Sequence, residues 1–481
     1  MRWCNIFCTH CFAFISPKTP TFVTSEAYPL KRATAMKFFG DFHIHSHYSR
    51  ATSKELTPEH LELSGRIKGL QVIGTGDFTH AGWLAELKEK LEPAEEGLFR
   101  LKDEYKLNSF IDETLPVRFL LSAEISNIYK KGDKVRKVHN VILAPDFETA
   151  EKINRQLESL GGNLRSDGRP ILGLDSRDLL EIALEANENI FFFPAHIWTP
   201  WFSAMGSKSG FDSIQECYAD LAPHIHAIET GLSTDAPMNW MVSSLDGYTL
   251  LSNSDAHSPE KLGRNANYFD TELSYGAITD AIASGNGFLG TVDTYPQVGK
   301  YHYDGHRKCN VCFDPVKTIE HRGRCPVCGR GLTIGVMSRI AKLCNRTDVE
   351  ERPDRKAFYP IIPLKELIAE IEGASPASKK VEQRYAELLK KLGNETHILM
   401  EKSIDDVAAA GEKMLAAALQ RMRERRVNIA EGFDGEYGTV NVFQKGEVKE
   451  LNAGEMKERI DEKLKENTKQ QLKKKPKETD S

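Results

Sequence analysis

The sequence predicts an α/β fold, because short apolar runs alternate with helical patterns between residues 36 and 295. The runs are apolar on both faces, as in parallel strands buried between helices. Strand–helix alternation at this spacing is typical of an α/β barrel or a doubly wound sheet. The predicted strands are residues 38–43, 71–76, 118–123, 139–144, 190–194, 227–229 and 249–253, with helices between them such as 58–65, 149–160 and 177–186.

Composition excludes several classes of protein. With 40% hydrophobic and 28% charged residues, the chain can bury a core and is not disordered. No run reaches the roughly 18 apolar residues of a membrane span, so we expect no membrane contact. The net charge of −5 excludes a uniformly basic coat for nucleic acid. Nine cysteines are too few for a disulfide scaffold and suit a reducing, cytoplasmic setting.

The chain of 481 residues divides by composition into five parts. Residues 1–35 are an extension that we interpret as a dispensable leader, with a signal peptide as the alternative. Residues 36–298 hold the strand–helix alternation, and residues 299–346 are rich in Cys, His, Gly and Arg. Residues 347–443 are predicted to be helical, at 364–371, 378–392 and 403–426. Residues 444–481 alternate Lys and Glu and are read as a charged tail.

Imidazoles and carboxylates recur where the predicted strands end. Such ends converge in space in parallel barrels, where they carry the catalytic residues. In the HxH and DxH pairs, the two side chains point to one face of an extended chain. Five His and three carboxylates exceed the needs of one ion, so we expect two or three metals, with carboxylates bridging. The eight candidates are His43, His45, Asp77, Glu124, His139, His196, Asp255 and His257.

A structural interpretation competes with the metal one for each residue alone. A single His after a strand is more often a hydrogen-bonded core residue than a ligand, and for His139 the two interpretations stand level. Seven apolar strands that all deliver such residues by chance would be hard to explain. His80, three residues after Asp77, is a weaker candidate, either as a ligand or as a proton donor.

The motifs DFHIHS, GTGDF, SAEIS, VHN, PAH and SDAH together resemble the polymerase-and-histidinol-phosphatase (PHP) family over roughly residues 38–290. The resemblance implies a distorted (β/α)7 barrel with a metal cluster that cleaves phosphoesters, and it implies that the eight candidates are the ligands. Many members have Asp-His in the second motif, whereas this chain has Asp77-Phe78 with His80 displaced. The cluster would hold Zn, Mn or Mg.

Phosphoester hydrolysis assigns roles to individual residues. A bound metal lowers the pKa of water towards about 7 and so supplies hydroxide at neutral pH. Asp255 is the expected catalytic residue, because it could bind a metal and also orient the attacking water. His80 is the second catalytic candidate. Arg50 and Lys54 follow the first motif and could clamp phosphate, with plain solvent exposure as the alternative.

Two CxxC pairs one hairpin apart predict a structural zinc site. The spacing is Cys309-x2-Cys312-x12-Cys325-x2-Cys328, which is typical of a closed tetrahedral Cys4 site. Ten basic and three acidic residues lie between Lys300 and Arg346, a net charge of +7 inside a chain of −5. Such a patch beside a phosphoesterase predicts a polyanionic substrate, hence nucleic acid. The alternative is a solvated zinc module with no partner.

A PHP barrel followed by a Cys4 module and C-terminal helices resembles the endonuclease Q family, from about residue 36 to residue 443. Further matching stretches are HIHSHYSRATS at 43–53, HIWTPWF at 196–202 and GFDGEYG at 432–438. The resemblance implies an enzyme that nicks double-stranded DNA on the 5′ side of deaminated bases (uracil, hypoxanthine, xanthine) and abasic sites, leaving a 3′-hydroxyl and a 5′-phosphate. It would act in the cytoplasm on the nucleoid of a prokaryote.

A deaminated base must leave the helix to be inspected, which costs a few kcal/mol. The loop after His196 carries Trp198, Trp201 and Phe202, which we expect to offer a stacking surface or wedge, with barrel capping as the alternative. The tail has Gln470-Gln471-Leu472 but no following aromatic pair, so we do not expect it to bind a sliding clamp. The alternative functions are a PHP phosphatase or exonuclease on small phosphoesters or DNA ends, and a metal-binding module with an inactive barrel.

Overall fold

A mixed sheet forms the centre of the computed structural model, which describes residues 35–109, 111, 116–347, 349–350, 355–451 and 453. Within these residues eleven strands belong to that sheet, and three two-stranded sheets accompany it. The strands are β1 Met36–Asp41, β2 Val72–Gly74, β3 Leu91–Pro93, β4 Phe99–Leu101, β5 Arg118–Lys131, β6 Lys134–Ala144, β7 Ile171–Leu172, β8 Phe191–Pro194, β9 Ala227–Glu229, β10 Thr249–Leu251, β11 Ala266–Thr271, β12 Phe288–Thr294, β13 Asp304–His306, β14 Val311–Phe313, β15 Ala357–Ile361, β16 Asn428–Ala430 and β17 Thr439–Asn441.

The sheet mixes parallel and antiparallel pairs, and its edge strand β15 pairs in parallel with β12. β1 pairs in parallel with β2, and β2 with β5, whereas β1 pairs antiparallel with β11. β6 pairs antiparallel with both β5 and β8. β9 and β10 form a separate parallel pair. All seven predicted strands are present, but the expectation that they are all parallel is wrong for β6, which runs antiparallel to both β5 and β8. Gly132, at φ 61°, turns the chain back at once, and a positive φ is what a tight hairpin needs.

Thirteen α-helices lie within the described residues, and most begin where a side chain caps them. Asp146, Asp175 and Ser378, for example, accept from backbone N–H groups of the first turn that have no partner within the helix. The helices are α1 Pro58–Lys68, α2 Ala81–Lys90, α3 Phe147–Ser159, α4 Ser176–Ala186, α5 Ile214–Tyr218, α6 Ala236–Trp240, α7 Tyr275–Ser284, α8 Pro315–Glu320, α9 Val336–Leu343, α10 Leu364–Glu372, α11 Lys379–Leu392, α12 Ile404–Ala409 and α13 Lys413–Arg423.

The single helix predicted over residues 403–426 is in fact two. Gly411 adopts φ 86° between α12 and α13, a left-handed conformation that ends a helix and that glycine reaches without strain. The N-cap predicted at Ser403 is present, since its side chain accepts from the N–H of Asp406.

Two large clusters of buried apolar side chains and two small ones lie within the described residues. The largest one runs from the outer face of the sheet to the C-terminal helices, so that Leu367 and Leu419 belong to the same cluster as Ile73 and Phe119. The second large cluster takes side chains from all seven predicted strands, and from β4, β11 and β12 as well, or from the immediate ends of these strands: Phe38 and Phe42, Val72, Leu120, Val141 and Leu143, Phe191 and Phe193, Ala227, Leu251, Leu98, Phe269 and Phe288. The seven predicted strands therefore present side chains to one common interior, together with three further strands.

The described residues from Ala35 onward belong to one compact unit. The divisions predicted at residues 298, 346 and 443 therefore remain predictions. The predicted N-terminal extension, the clamp-type Gln470-Gln471-Leu472 and most of the charged tail lie outside the described residues. In the described part of the chain, no helix is both long and apolar enough to cross a membrane.

Candidate metal centre

Strand ends bring distant residues together at one edge of the sheet. The segment after β1 runs beside the segment after β10, since His45 N donates to Ala256 O (3.1 Å) and Asp255 N donates to His43 O (2.9 Å). The HxH and DxH pairs thereby become neighbours. Glu124 lies within β5 and His139 within β6, which is paired with β5, and His196 follows β8.

Three of the eight predicted ligands have a positive φ: Asp77 at φ 51°, His196 at φ 28° and Asp255 at φ 47°. Such strain at non-glycine residues clusters at functional sites.

Two groups of potential ligand atoms meet at this edge, and Glu124 belongs to both. The first group is His43, His45, Glu124 and Asp255, and the second is Glu124, His139 and His196; in each, the atoms lie within 4.8 Å of one another. Oε2 of Glu124 is 3.1 Å from Nε2 of His45, in the first group. Oε1 of Glu124 is 2.5 Å from Nδ1 of His139 and 3.2 Å from Nε2 of His196, in the second. One carboxylate therefore faces a separate group with each oxygen.

Outer carboxylates orient the two imidazoles of the HxH motif. Nδ1 of His43 lies 3.0 Å from both oxygens of Glu229, and Nδ1 of His45 lies 3.1 Å from Oδ1 of Asp77. An Nδ1–H that donates to a carboxylate leaves the Nε2 lone pair free for a metal. Asp77 in turn accepts from Ser46 N (2.7 Å) and Ser49 Oγ (2.8 Å), which fixes its carboxylate.

The pKa values reflect this crowding of opposite charges. Burial alone would raise the pKa of Glu124, but the imidazoles of His139 and His43 and the guanidinium of Arg169 hold the pKa well below its usual value. Burial lowers the pKa of His43, yet the carboxylates of Glu229 and Glu124 more than offset it and hold this pKa well above its usual value. His139 is dominated by burial, which lowers its pKa to about 4.

The donor set fits divalent metal ions. Nε2 of His43 is buried and has no hydrogen-bond partner among the described residues, and the nearest Glu124 oxygen is 3.4 Å away. A buried nitrogen without a partner is costly unless something else binds it. Imidazole and carboxylate together suit zinc, manganese or iron, and the shared Glu124 suits two ions side by side.

Three predicted residues lie beside these groups rather than in them. Asp77 contacts His45 from the outer side, as described. His257 places Nδ1 2.9 Å from the backbone oxygen of Asp255, and its ring centroid is 4.6 Å from that of His45. His80 caps α2 by accepting from Trp83 N, and its other nitrogen is 3.3 Å from Arg165 O. The alternation of side chains along a strand predicts the face on which such residues lie, but not how close their side chains come to the ligand groups.

Of the residues predicted to contact substrate, one is buried in the core and the others lie at the surface or beside the metal centre. Trp198 is fully buried, with Nε1 donating to Asn239, so it is a core residue and cannot serve as a stacking surface. Trp201 is 52% exposed, and the ring of Phe202 lies 4.9 Å from that of His139. Arg50 lies 3.4 Å from Asp167, and its side chain is 74% exposed.

Two residues of the centre were missed. Glu229 ends β9 directly after two apolar residues, the same signal that singled out Glu124, so the strand-end pattern could have found it. Arg169 places Nη1 3.2 Å from Oε2 of Glu124. It lies in the loop between α3 and β7, where no periodic pattern points to it.

The cysteine-rich module presents a different ligand set from the predicted one. His306, Cys309, Cys325 and Cys328 form the group, with ligand atoms within 4.8 Å of one another. Cys312 is not part of it: this residue lies in β14 opposite Gly305. Backbone N–H groups of Cys328 and Val327, together with His306, outweigh burial and lower the pKa of Cys325 to about 6, which favours the thiolate that zinc binds. A His-x2-Cys spacing matches that of a knuckle, so His306 could have been considered.

Part of the basic patch is internal. Arg339 is buried and donates to the backbone oxygens of Met205 and Phe211, so it attaches α9 to the loop after β8. Arg346 bonds the backbone oxygen of Trp240 and pairs with Asp246. The charge of +7 therefore overstates what the module offers to a polyanion.

Comparison with known proteins gives partial sequence matches. A family model described as the MJ0043 C-terminal domain matches residues 363–426, which contain α10 to α13. The uncharacterized protein MJ0043 of Methanocaldococcus jannaschii is 33% identical over 252 residues, 51% of this chain but only 31% of that longer protein. The uncharacterized protein YqxK of Bacillus subtilis is 26% identical over 421 residues, which cover 84% of this chain and 99% of YqxK.

Solved structures match over almost their whole length. The lesion-specific endonuclease PfuEndoQ of Pyrococcus furiosus is 30% identical with a TM-score of 0.74, over 87% of this chain and 99% of PfuEndoQ. An endonuclease Q complex with a 27-mer duplex carrying an abasic lesion at its active site is also 30% identical, with a TM-score of 0.73, over 85% of this chain and 98% of that one. This chain therefore belongs to the endonuclease Q family, and it is a nuclease, a metal-dependent phosphodiesterase.

Proposed function

We propose that this chain is a DNA-repair endonuclease that hydrolyses the phosphodiester on the 5′ side of deaminated bases (uracil, hypoxanthine, xanthine) and abasic sites, leaving a 3′-hydroxyl and a 5′-phosphate. The observation that carries the proposal is Glu124, whose two oxygens face two separate groups of ligand atoms. Two metal sites that share a carboxylate are the arrangement that in-line phosphodiester hydrolysis uses.

The residues divide the work between holding metal and handling water. Two ions would be held, one by His43, His45 and Asp255 and one by His139 and His196, with Glu124 common to both. When bound, such ions lower the pKa of water and neutralise charge on the phosphate. The Asp255 side chain is 27% exposed, so it can also accept a hydrogen bond from the attacking water.

Duplex DNA with a damaged position is the proposed substrate. The relative solved with an abasic duplex supports this choice. Trp201 and Phe202 lie at the rim of the second ligand group, with Lys137 Nζ 5.3 Å and 5.1 Å from their ring centroids. An exposed aromatic beside a cation suits an extruded nucleotide next to its phosphate.

The remaining features fit the same proposal. The shared interior to which all seven predicted strands contribute supports a PHP-type distorted (β/α)7 barrel, with the metal centre at the strand ends. Zn, Mn or Mg would occupy the barrel, and one structural zinc would occupy the module of residues 306–328. The enzyme would act in the cytoplasm on nucleoid DNA.

A nicking assay tests the proposal. The purified chain is incubated with Mn²⁺ or Mg²⁺ and labelled duplexes that each carry one deoxyuridine, deoxyinosine, deoxyxanthosine or abasic site. We expect a single nick 5′ to the lesion and none in the undamaged duplex. A Glu124→Gln variant should be inactive, and a Glu104→Gln variant, altered at an exposed position, should be fully active. Release of mononucleotides or inorganic phosphate instead would indicate an exonuclease or phosphatase.

A further inference from the structure

The short loop at residues 167–170, between α3 and β7, is anchored over the metal centre at both ends. Gly168 N donates to Tyr48 O (3.1 Å), and Ser126 N donates to Pro170 O (3.0 Å). The backbone at Gly168 lies so close to Asp77 that a Cβ there would be 2.3 Å from Oδ2. Glycine is therefore required at this position, and the residue that follows it has a fixed place.

That residue is Arg169, and its guanidinium contacts the carboxylate of Glu124 that the two ligand groups share. Nη1 is 3.2 Å from Oε2 of Glu124, while the side chain keeps 29% of its surface exposed. The carboxylate of the same loop, Asp167, is engaged elsewhere. Its Oδ1 accepts from the backbone N–H groups of Arg50 and Arg169, and its Oδ2 is 3.4 Å from Arg50 Nε. The guanidinium of Arg169 is thus aimed at the metal centre with part of its surface open.

The number of donors exceeds what Glu124 uses. A guanidinium has five N–H donors in a planar fork that matches phosphate oxygens, whereas the described contact with Glu124 uses Nη1. Arg50, predicted to clamp phosphate, lies further out beside Asp167. Of the two arginines, Arg169 is the one that reaches the ligand atoms.

We propose that Arg169 binds a non-bridging oxygen of the scissile phosphate and stabilises the negative charge that grows there during cleavage. This role rests on the proposed function. A cation fixed in a partly buried site before the reaction stabilises developing charge without reorganisation. The two non-bridging oxygens of a phosphodiester are stereochemically distinct. Because the loop holds the guanidinium on one side of the metal centre, we expect Arg169 to contact only one of them.

A structural role is the alternative, in which Arg169 only balances the buried charge of Glu124. The two roles differ in what happens when one phosphate oxygen is replaced by sulfur. A structural arginine would lower the rate equally for both phosphorothioate diastereomers. An arginine that contacts one oxygen is coupled to that oxygen alone, and a double-mutant cycle measures such coupling.

The experiment uses the full chain loaded with Mn²⁺ and a duplex with one abasic site. Single-turnover cleavage is measured for wild type, Arg169→Met and Arg169→Lys, with Arg165→Met as the control at an exposed position shortly before the loop. Each protein is tested on the natural linkage and on the Rp and Sp phosphorothioates. Bound metal and affinity for the lesion duplex are measured in parallel.

We expect Arg169→Met to lower the cleavage rate about 100-fold, as the loss of one oxyanion donor does. Affinity for the duplex and metal content should stay within about threefold of wild type, and Arg169→Lys should keep part of the rate. The ratio of the wild-type rate to the Arg169→Met rate should be at least about fivefold smaller on one phosphorothioate diastereomer than on the natural linkage, and unchanged on the other diastereomer. Loss of bound metal, an equal loss for both diastereomers, or no loss would each overturn the proposal. A wild-type chain that nicks no lesion duplex would remove the proposed function itself, and this role with it.

Discussion

Replacing Glu229 by Gln removes one of the two outer carboxylates of the first ligand group and leaves the ligands in place. Glu229 accepts from His43 Nδ1 with both oxygens at 3.0 Å, from His196 N at 2.7 Å and from Asn253 Nδ2 at 2.8 Å. It therefore orients an imidazole of each ligand group, one through its ring and one through its backbone. Gln has the same shape, but it has no charge and has one amide NH2 where Glu has an acceptor.

The expected effect follows from those contacts. Loss of an outer-shell partner weakens metal affinity about 10- to 100-fold, which is about 1.4–2.7 kcal/mol. The amide NH2 would also face a donor, either His196 N or Asn253 Nδ2, and an unpaired buried donor costs about 1–3 kcal/mol of the free energy of unfolding. We expect weaker metal binding and a lower melting temperature, with cleavage largely restored at saturating metal because the ligands themselves remain.

Electron paramagnetic resonance of free Mn²⁺ measures the affinity directly. The metal-free chain is titrated with Mn²⁺, and the same titration is followed by the nicking rate. Glu188→Gln, at an exposed position before β8, is the matched control and should bind Mn²⁺ as wild type does. A Glu229→Gln variant that bound both ions within about twofold of wild type would refute the outer-shell role assigned to this carboxylate.

Three other regions of the molecule give separate predictions. His306→Ala should release the zinc of the cysteine-rich module, whereas Cys312→Ser should keep one zinc per chain, and zinc content by mass spectrometry with the reverse pattern would restore the Cys4 assignment. Burial raises the pKa of Asp293 from 3.8 to about 7. Between these pH values the folded state binds a proton that the unfolded state does not, and the contribution of Asp293 to the free energy of unfolding should fall by about 4 kcal/mol as the pH rises from about 4 to about 7. Denaturant unfolding at pH 5 and pH 8 should show that Asp293→Asn loses this dependence, and an unchanged slope would contradict the assignment. Trp198→Ala should cost about 3–5 kcal/mol in the same measurement because a buried side chain is lost. Trp201→Ala should leave stability intact and weaken binding to an abasic duplex about tenfold, as the loss of one stacked base does; a Trp201 variant with wild-type affinity would exclude a stacking role.

Much of the strand–helix part could be predicted because most of its strands are short, apolar on both faces and separated by capped helices. Predicted strand bounds lie within three residues of the observed ones, except at the far end of β5 and the near end of β6. These two strands extend well past their apolar parts into a polar hairpin around Gly132, where hydrophobic pattern carries no signal. The break at Gly411 was missed because the apolar period continues across it.

Some residues of the candidate site could be predicted from the strand pattern and others could not. Residues at or just after the end of a predicted strand, such as His43, Glu124 and Asp255, could be found because strand ends converge. The strand pattern does not tell how far each side chain reaches into the site. Asp77 and His257 were expected among the ligand groups, and the structure places them beside these groups. Arg169 is brought in by a loop whose position depends on backbone contacts with Tyr48 and Ser126, which no local pattern encodes.

The central claim is that Glu124 is shared by two metal ions, and anomalous X-ray scattering from crystals soaked in Mn²⁺ tests it most directly. Two peaks are predicted at the metal centre, about 3.5–4 Å apart, one beside His43, His45 and Asp255 and the other beside His139 and His196, each in contact with a different oxygen of Glu124. A single peak, or two peaks of which one has no contact with Glu124, would contradict the account.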